Sequence, residues 1–151
     1  MTDAKKQIRV VVVGTDSLTT EYLRTILDPH RFVVDTTDPT LDGIARAQES
    51  SPVLFVIDDL EGMNGLKTAC QTIRQYSWMP ILALSSLRSP NVVEQVLDAG
   101  ADDFLSKPVP GSVLMAHLNT LARRALAEQD AALAIVHGER TPGQSLGLLI
   151  Y

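Results

Sequence analysis

The sequence predicts an α/β fold, a parallel five-stranded sheet with helices on both of its faces. Three observations predict it. Five short runs rich in branched apolar residues alternate with longer segments whose apolar residues recur at helical spacing. Runs such as Val53–Ile57 are apolar throughout rather than alternating, as strands covered on both faces should be. Proline and glycine punctuate the boundaries between them.

Strand one is Ile8–Val13, and a helix follows through Leu18, Tyr22, Leu23, Ile26 and Leu27. It stops near Asp28-Pro29, because a proline disfavours helix in the residue before it. Strand two is Arg31–Asp35. Helix two starts at Asp38-Pro39, with aspartate as cap and proline at the first helical position, and carries Leu41, Ile44, Ala45 and Ala47. Strand three is Val53–Ile57, followed by the loop Asp58–Asn64 and a helix using Leu66, Ala69, Cys70 and Ile73. Strand four follows Pro80. Ser89-Pro90 opens helix four, with Val92, Val93, Val96 and Leu97, and Gly100 ends it. Strand five is Asp103–Leu105, and Pro110 opens helix five through Val113, Leu114, Leu118 and Leu121. Ala125–Ile135 is alanine-rich and prolongs that helix. His137–Gly143 reads as a linker and Ser145–Tyr151 as a short apolar tail.

Composition sets limits. The 151 residues suit one domain, and 45% hydrophobic with 21% charged residues is an ordinary globular balance. A net charge of −5 argues against direct nucleic-acid binding by this segment. No apolar run approaches the roughly 18–20 residues that cross a bilayer. Cys70, the single cysteine, cannot pair internally, and its apolar neighbours mark it as a small buried hydrophobe. A cytoplasmic location is therefore expected. His30, His117 and His137 have no cysteine or histidine at metal spacing and read as surface residues.

In parallel α/β sheets, functional groups gather at the carboxyl ends of the strands. Asp58, Ser85 and Lys107 all fall there, from strands three, four and five, as do Gly14, Thr15 and Asp16 from strand one. A carboxylate, a hydroxyl and a lysine suit a site that accepts a phosphoryl group, since that chemistry is mostly positioning and charge neutralisation. Singly, each has a plain reading: Asp58 as a loop cap, Lys107 as a surface lysine, Phe104 as packing. The coincidence of Ser85 and Lys107 with Asp58 makes the loop cap the weaker reading of Asp58, whereas Phe104 fits packing as well as a switch. The turn Gly14–Ser17 leaves open a nucleotide- or anion-binding enzyme, although the later glycines of a dinucleotide fingerprint are missing.

Three blocks carry a family resemblance: Ser51–Asp58 with Gly65 beyond it, Pro80–Ser86, and Gly100–Pro108. Together they resemble the receiver domain of two-component response regulators, over roughly residues 8–124. The resemblance implies a flavodoxin-like, doubly wound sheet in the order 2-1-3-4-5. It implies Asp58 as the acceptor of phosphate from a sensor histidine kinase. Lys107 and Ser85 would contact the phosphate, and Phe104 would be the switch aromatic. It further implies a cis Lys107-Pro108 bond, a magnesium ion, and an output or homodimer face on helix four, strand five and helix five.

The chain departs from that pattern at the metal. Gly14 and Thr15 stand where the family has an acidic pair, with Asp16 and Asp59 as weak substitutes. Asp58 to Gly65 is seven positions, one short of the family's usual spacing, and the loop proline is missing. With the pair, three carboxylates would face one lysine; here Asp58 faces Lys107 at net zero. The expectation is a receiver domain at 1–124 that acts through protein contacts, without ordinary magnesium-dependent phosphorylation and without enzymatic activity. No cofactor is expected, and magnesium binds weakly if at all. Residues 125–151 form the helix extension, linker and tail, readable as the start of an output domain. The alternative is a working phosphoacceptor using Asp58, as the N-terminal part of a DNA-binding regulator.

Overall fold

The computed structural model describes residues 7–14, 17–58 and 62–136. Five strands, β1 (Ile8–Val13), β2 (Phe32–Thr37), β3 (Leu54–Asp58), β4 (Ile81–Ser85) and β5 (Asp103–Ser106), alternate with five helices. The helices are α1 (Ser17–Ile26), α2 (Leu41–Gln48), α3 (Gly62–Arg74), α4 (Pro90–Asp98) and α5 (Gly111–Val136). All strand pairings are parallel, in the order β2-β1-β3-β4-β5. The expected fold is the observed one. No helix among the described residues is long and apolar enough to cross a membrane.

The side-chain alternation of the strands divides the core in two. Val10, Val12, Leu54, Val56, Leu82 and Leu84 face one layer with Leu23 of α1, Leu27 just after it, and Leu114, Leu118 and Leu121 of α5. Val11, Val13, Phe55, Ile57, Ile81 and Ala83 face the other, with Ile44 of α2, Leu66, Ala69, Cys70 and Ile73 of α3, and Val96 of α4. Burying one such leucine or isoleucine contributes about 1.5–3 kcal/mol, so each layer is held by many comparable increments. Cys70 is fully buried, and that burial pushes its thiol up to about 11. It is a packing residue.

Helix boundaries follow their caps. Ser89 caps α4 as expected: its Oγ accepts from Val92 N at 3.2 Å, with Pro90 in the first turn. The start of α2 differs from the sequence expectation. Thr40, not Asp38, is the cap, its Oγ1 accepting from Gly43 N at 3.0 Å. Strands β2, β3 and β5 each run one or two residues further than expected, because pairing with the neighbouring strand continues past the apolar run.

Helix α1 turns only part of its apolar set inward. Thr19, Thr20, Leu23 and Leu27 are buried, whereas Leu18 is 70% exposed and Tyr22 41% exposed. In α5 the core packing continues through Ala125 and Leu126, beyond the boundary expected at residue 124. The helix then runs on to Val136, with Leu133 exposed. The linker and tail, with His137, lie outside the described residues.

An unanticipated clamp closes the far end of the sheet. Arg74, ending α3, donates to the carbonyls of Ser77, Met79 and Gly100 and to Asp102 Oδ2 at 3.0 Å. The same Asp102 oxygen accepts from Ile81 N at 2.8 Å. One ion pair thus fixes the start of β4 against the turn that enters β5.

Candidate functional site

β3 is the central strand, and its last residue is Asp58. The side chain of Asp58 has no exposure. An ionised carboxylate in such a place needs a partner, because burying an uncompensated charge is costly. The partner is Lys107: its Nζ lies in direct contact with Asp58 Oδ1. Among the described residues neither Asp58 oxygen makes a well-directed hydrogen bond, so the ammonium charge is what offsets the carboxylate.

Lys107 is aimed there by β5 and the turn after it. β5 pairs with β4 so that Ser106 lies opposite Ser85, and Lys107 N donates to Ser85 O at 2.8 Å. The Lys107–Pro108 peptide bond is cis, as the resemblance implied. Leu84 is level with Asp58, which puts Ser85 one residue further along the same edge. Ser85 is buried, and its Oγ accepts from Leu87 N at 3.0 Å, closing the turn towards α4. Phe104 in β5 is half-buried against the layer of α2, α3 and α4.

Gly14 follows the last residue of β1, and Val13 is level with Ile57, so Gly14 borders Asp58. A Cβ built on Gly14 would stand 3.1 Å from Asp58 O. Its φ is not in the left-handed region, unlike those of Gly62 and Gly100. No turn geometry demands glycine there; the tight constraint is the neighbouring carbonyl. Thr15, Asp16 and Asp59 lie outside the described residues. Sequence reasoning missed Arg88, whose guanidinium donates to Lys107 O at 3.0 Å from the loop before α4. Nothing in the sequence pattern signals it.

His117 is half-exposed and rests its Nδ1 2.5 Å from Asp103 Oδ2, a pair linking α5 to β5 rather than an isolated surface histidine.

The family model described as "Response regulator receiver domain" matches residues 10–119. The chain belongs to the response regulator receiver family. This receiver is 31% identical over 119 residues to the transcriptional regulatory protein CseB of Streptomyces coelicolor, covering 78% of this chain and 50% of the relative. It is 33% identical over 121 residues to the transcriptional regulatory protein CusR of Escherichia coli, covering 80% and 53%. Among solved structures, a two-component response regulator from Clostridium difficile superposes with a TM-score of 0.69 at 20% identity, covering 78% of this receiver and 98% of that chain. The receiver spans about half the length of the curated relatives it matches.

Proposed function

We propose that this receiver signals through protein contacts and not through ordinary magnesium-assisted phosphorylation of Asp58. The observation that carries the reading is the Asp58–Lys107 ion pair beside Gly14. Magnesium asks for near-octahedral oxygen ligands, usually from one or two carboxylates with waters and phosphate. Gly14 supplies no side-chain oxygen, and Asp58, the one carboxylate at this edge among the described residues, already pairs with an ammonium. No group of three histidine, cysteine or acidic side chains that could hold a metal occurs among the described residues. Among the described residues the donor chemistry does not fit the ion.

The same ion pair holds the nucleophile back. To attack a phosphorus centre, Asp58 must present an oxygen lone pair, and the Lys107 charge lowers its nucleophilicity. A site starting at net zero also gains less from a phosphoryl dianion's arrival than one with a bound divalent cation, because only Lys107 offsets the new charge.

A sensor histidine kinase or another signalling protein is the partner class this reading implies. A homodimer through α4, β5 and α5 is the geometry of self-association, and the cytoplasm is the place. That the matched transcriptional regulators are about twice as long supports a place for this receiver within a longer regulator. The competing reading, a working phosphoacceptor, is favoured by one observation: Asp58, Ser85 and Lys107 all reach one edge of the sheet.

The deciding experiment is intact mass after incubation with a small phosphodonor and magnesium, with Asp58→Asn alongside. No added phosphoryl group under conditions that modify a typical receiver is the expected result. One added group, missing in Asp58→Asn, overturns the reading in favour of the phosphoacceptor.

A further inference from the structure

The end of β4 and the loop after it hold the backbone of Lys107 from both sides. Ser85, the last residue of β4, accepts from Lys107 N at 2.8 Å. Arg88, three residues on, donates from its guanidinium to Lys107 O at 3.0 Å. Pro108 follows, and a proline has no N–H with which the pairing to β4 could continue. The loop is itself tied down: Ser85 Oγ accepts from Leu87 N at 3.0 Å, and Ser89 caps α4. Arg88 is exposed, and among the described residues it meets no acid. Its guanidinium goes instead to the main chain of the lysine that pairs with Asp58.

We infer that Arg88 is a positioning residue: it fixes the Lys107 backbone so that the ammonium stays on Asp58, and it makes the exposed loop before α4 the handle of the buried pair. A lysine is a point charge on a flexible four-carbon stem, so its ammonium is placed only as firmly as the backbone from which the stem starts. With its N–H and its C=O both held, the main chain at Lys107 cannot swing without breaking a bond to β4 or to the loop. The Asp58 side chain has no exposure, that of Lys107 is part-buried, and Arg88 lies at the surface. The three form a path from solvent to the carboxylate. The inference rests on the standing Asp58–Lys107 pair of the reading above, and it names the residue through which a contact at the loop reaches that pair.

The test is urea unfolding of the full chain, with the Asp58→Asn and Lys107→Met cycle run in three backgrounds: the parent, Arg88→Ala and Arg88→Lys. The coupling factor is the ratio by which the unfolding constants depart from additivity. Arg88→Ala should lower that factor at least threefold, whereas Arg88→Lys, which keeps a donor, should hold it within threefold of the parent. A second measurement needs no substitution in the pair. Acetylation of Lys107 by a dilute amine reagent, read by peptide mass, should be at least threefold faster in Arg88→Ala, with Lys67 unchanged as the control for general unfolding. A coupling factor that stays within threefold in Arg88→Ala overturns the inference, whatever happens to stability. So does an equal loss in Arg88→Lys, or acetylation of Lys107 less than threefold faster than in the parent. Additive effects of Asp58→Asn and Lys107→Met in the parent would overturn the pair itself and this inference with it. A phosphoryl group on Asp58 is read separately by intact mass, so failure of the reading above and failure of this inference are told apart.

Discussion

Gly14 and Asp58 are neighbours across two strands, and a Cβ on Gly14 would stand 3.1 Å from the Asp58 carbonyl oxygen. A side chain can be added there only if that carbonyl gives way by a few tenths of an ångström. The backbone at Gly14 itself accepts any residue, since its φ is not left-handed. Restoring Gly14→Asp and Thr15→Asp together should therefore fold and create a cation site. The expected outcome is a melting temperature that rises with magnesium in the double variant and not in the parent. At about 100 times its Kd a bound ion adds about 2.7 kcal/mol. A flat response in the double variant would count against the assignment of this edge as the metal position.

Lys107 carries the charge that makes Asp58 tolerable in the core. Lys107→Met should cost about 3–5 kcal/mol, because it strands a buried carboxylate. Adding Asp58→Asn to it should recover most of the loss. Chemical denaturation of the two single variants and the double gives the coupling directly, and additive effects would show that the pair is not a unit.

Asp102 is a structural residue and not part of the site. It meets Arg74 at 3.0 Å and Ile81 N at 2.8 Å, and Arg124 at 3.4 Å. Asp102→Ala should lower stability by about 2 kcal/mol, the loss of charge-assisted hydrogen bonds that include a backbone donor. Urea denaturation measures it, while the phosphodonor result should match that of the parent.

The Cys70 thiol, raised to about 11 by burial, stays protonated in the folded protein near neutral pH. Modification by a thiol reagent at pH 8 should be at least 100-fold slower than in urea, since the thiolate is the reactive form. The sign of its effect on stability follows. The protonated thiol's contribution is whole below its ordinary value of 9.0 and is lost as pH climbs through about 11. Rapid modification of the folded chain at pH 8 would contradict both statements.

Where α5 stops belonging to the body can be found by truncation. Ending the chain after Leu126 keeps every residue of the helix that packs on the core, so the melting temperature should stay within about 2 °C. Ending it after Leu121 removes Ala122 and Ala125 from the core and should lower it by about 5 °C or more. Equal melting of the two fragments would place the boundary before Ala122.

Much of this fold was legible because a doubly covered parallel sheet leaves a coarse mark: apolar runs at regular intervals, each passing into a helix. The four residues used to place α3, Leu66, Ala69, Cys70 and Ile73, are its buried ones. Asp58 and Lys107 could be brought to one edge from sequence because both follow strands of the same sheet. Other features had no local signal. The inward face of α1 is not marked in the sequence, because Leu18, Tyr22 and Ile26 form one apolar row and Leu23 and Leu27 another, and only packing chooses between them. Thr40 took the cap of α2 from Asp38 because either oxygen can cap, and the register of β2 decides where the turn falls. Arg88 and the Arg74–Asp102 clamp join residues far apart in the chain, which periodicity does not encode.

One geometric consequence follows from α5. It begins at Gly111, three residues after Pro108 of the cis bond, and continues unbroken for 26 residues. At about 1.5 Å per residue that is a rod of roughly 39 Å, longer than the sheet it leans on. A tilt of about 5° at its root therefore moves its tip by about 3 Å. The helix converts an angle set beside Lys107 into a distance at the other pole, with no intermediate element to absorb it.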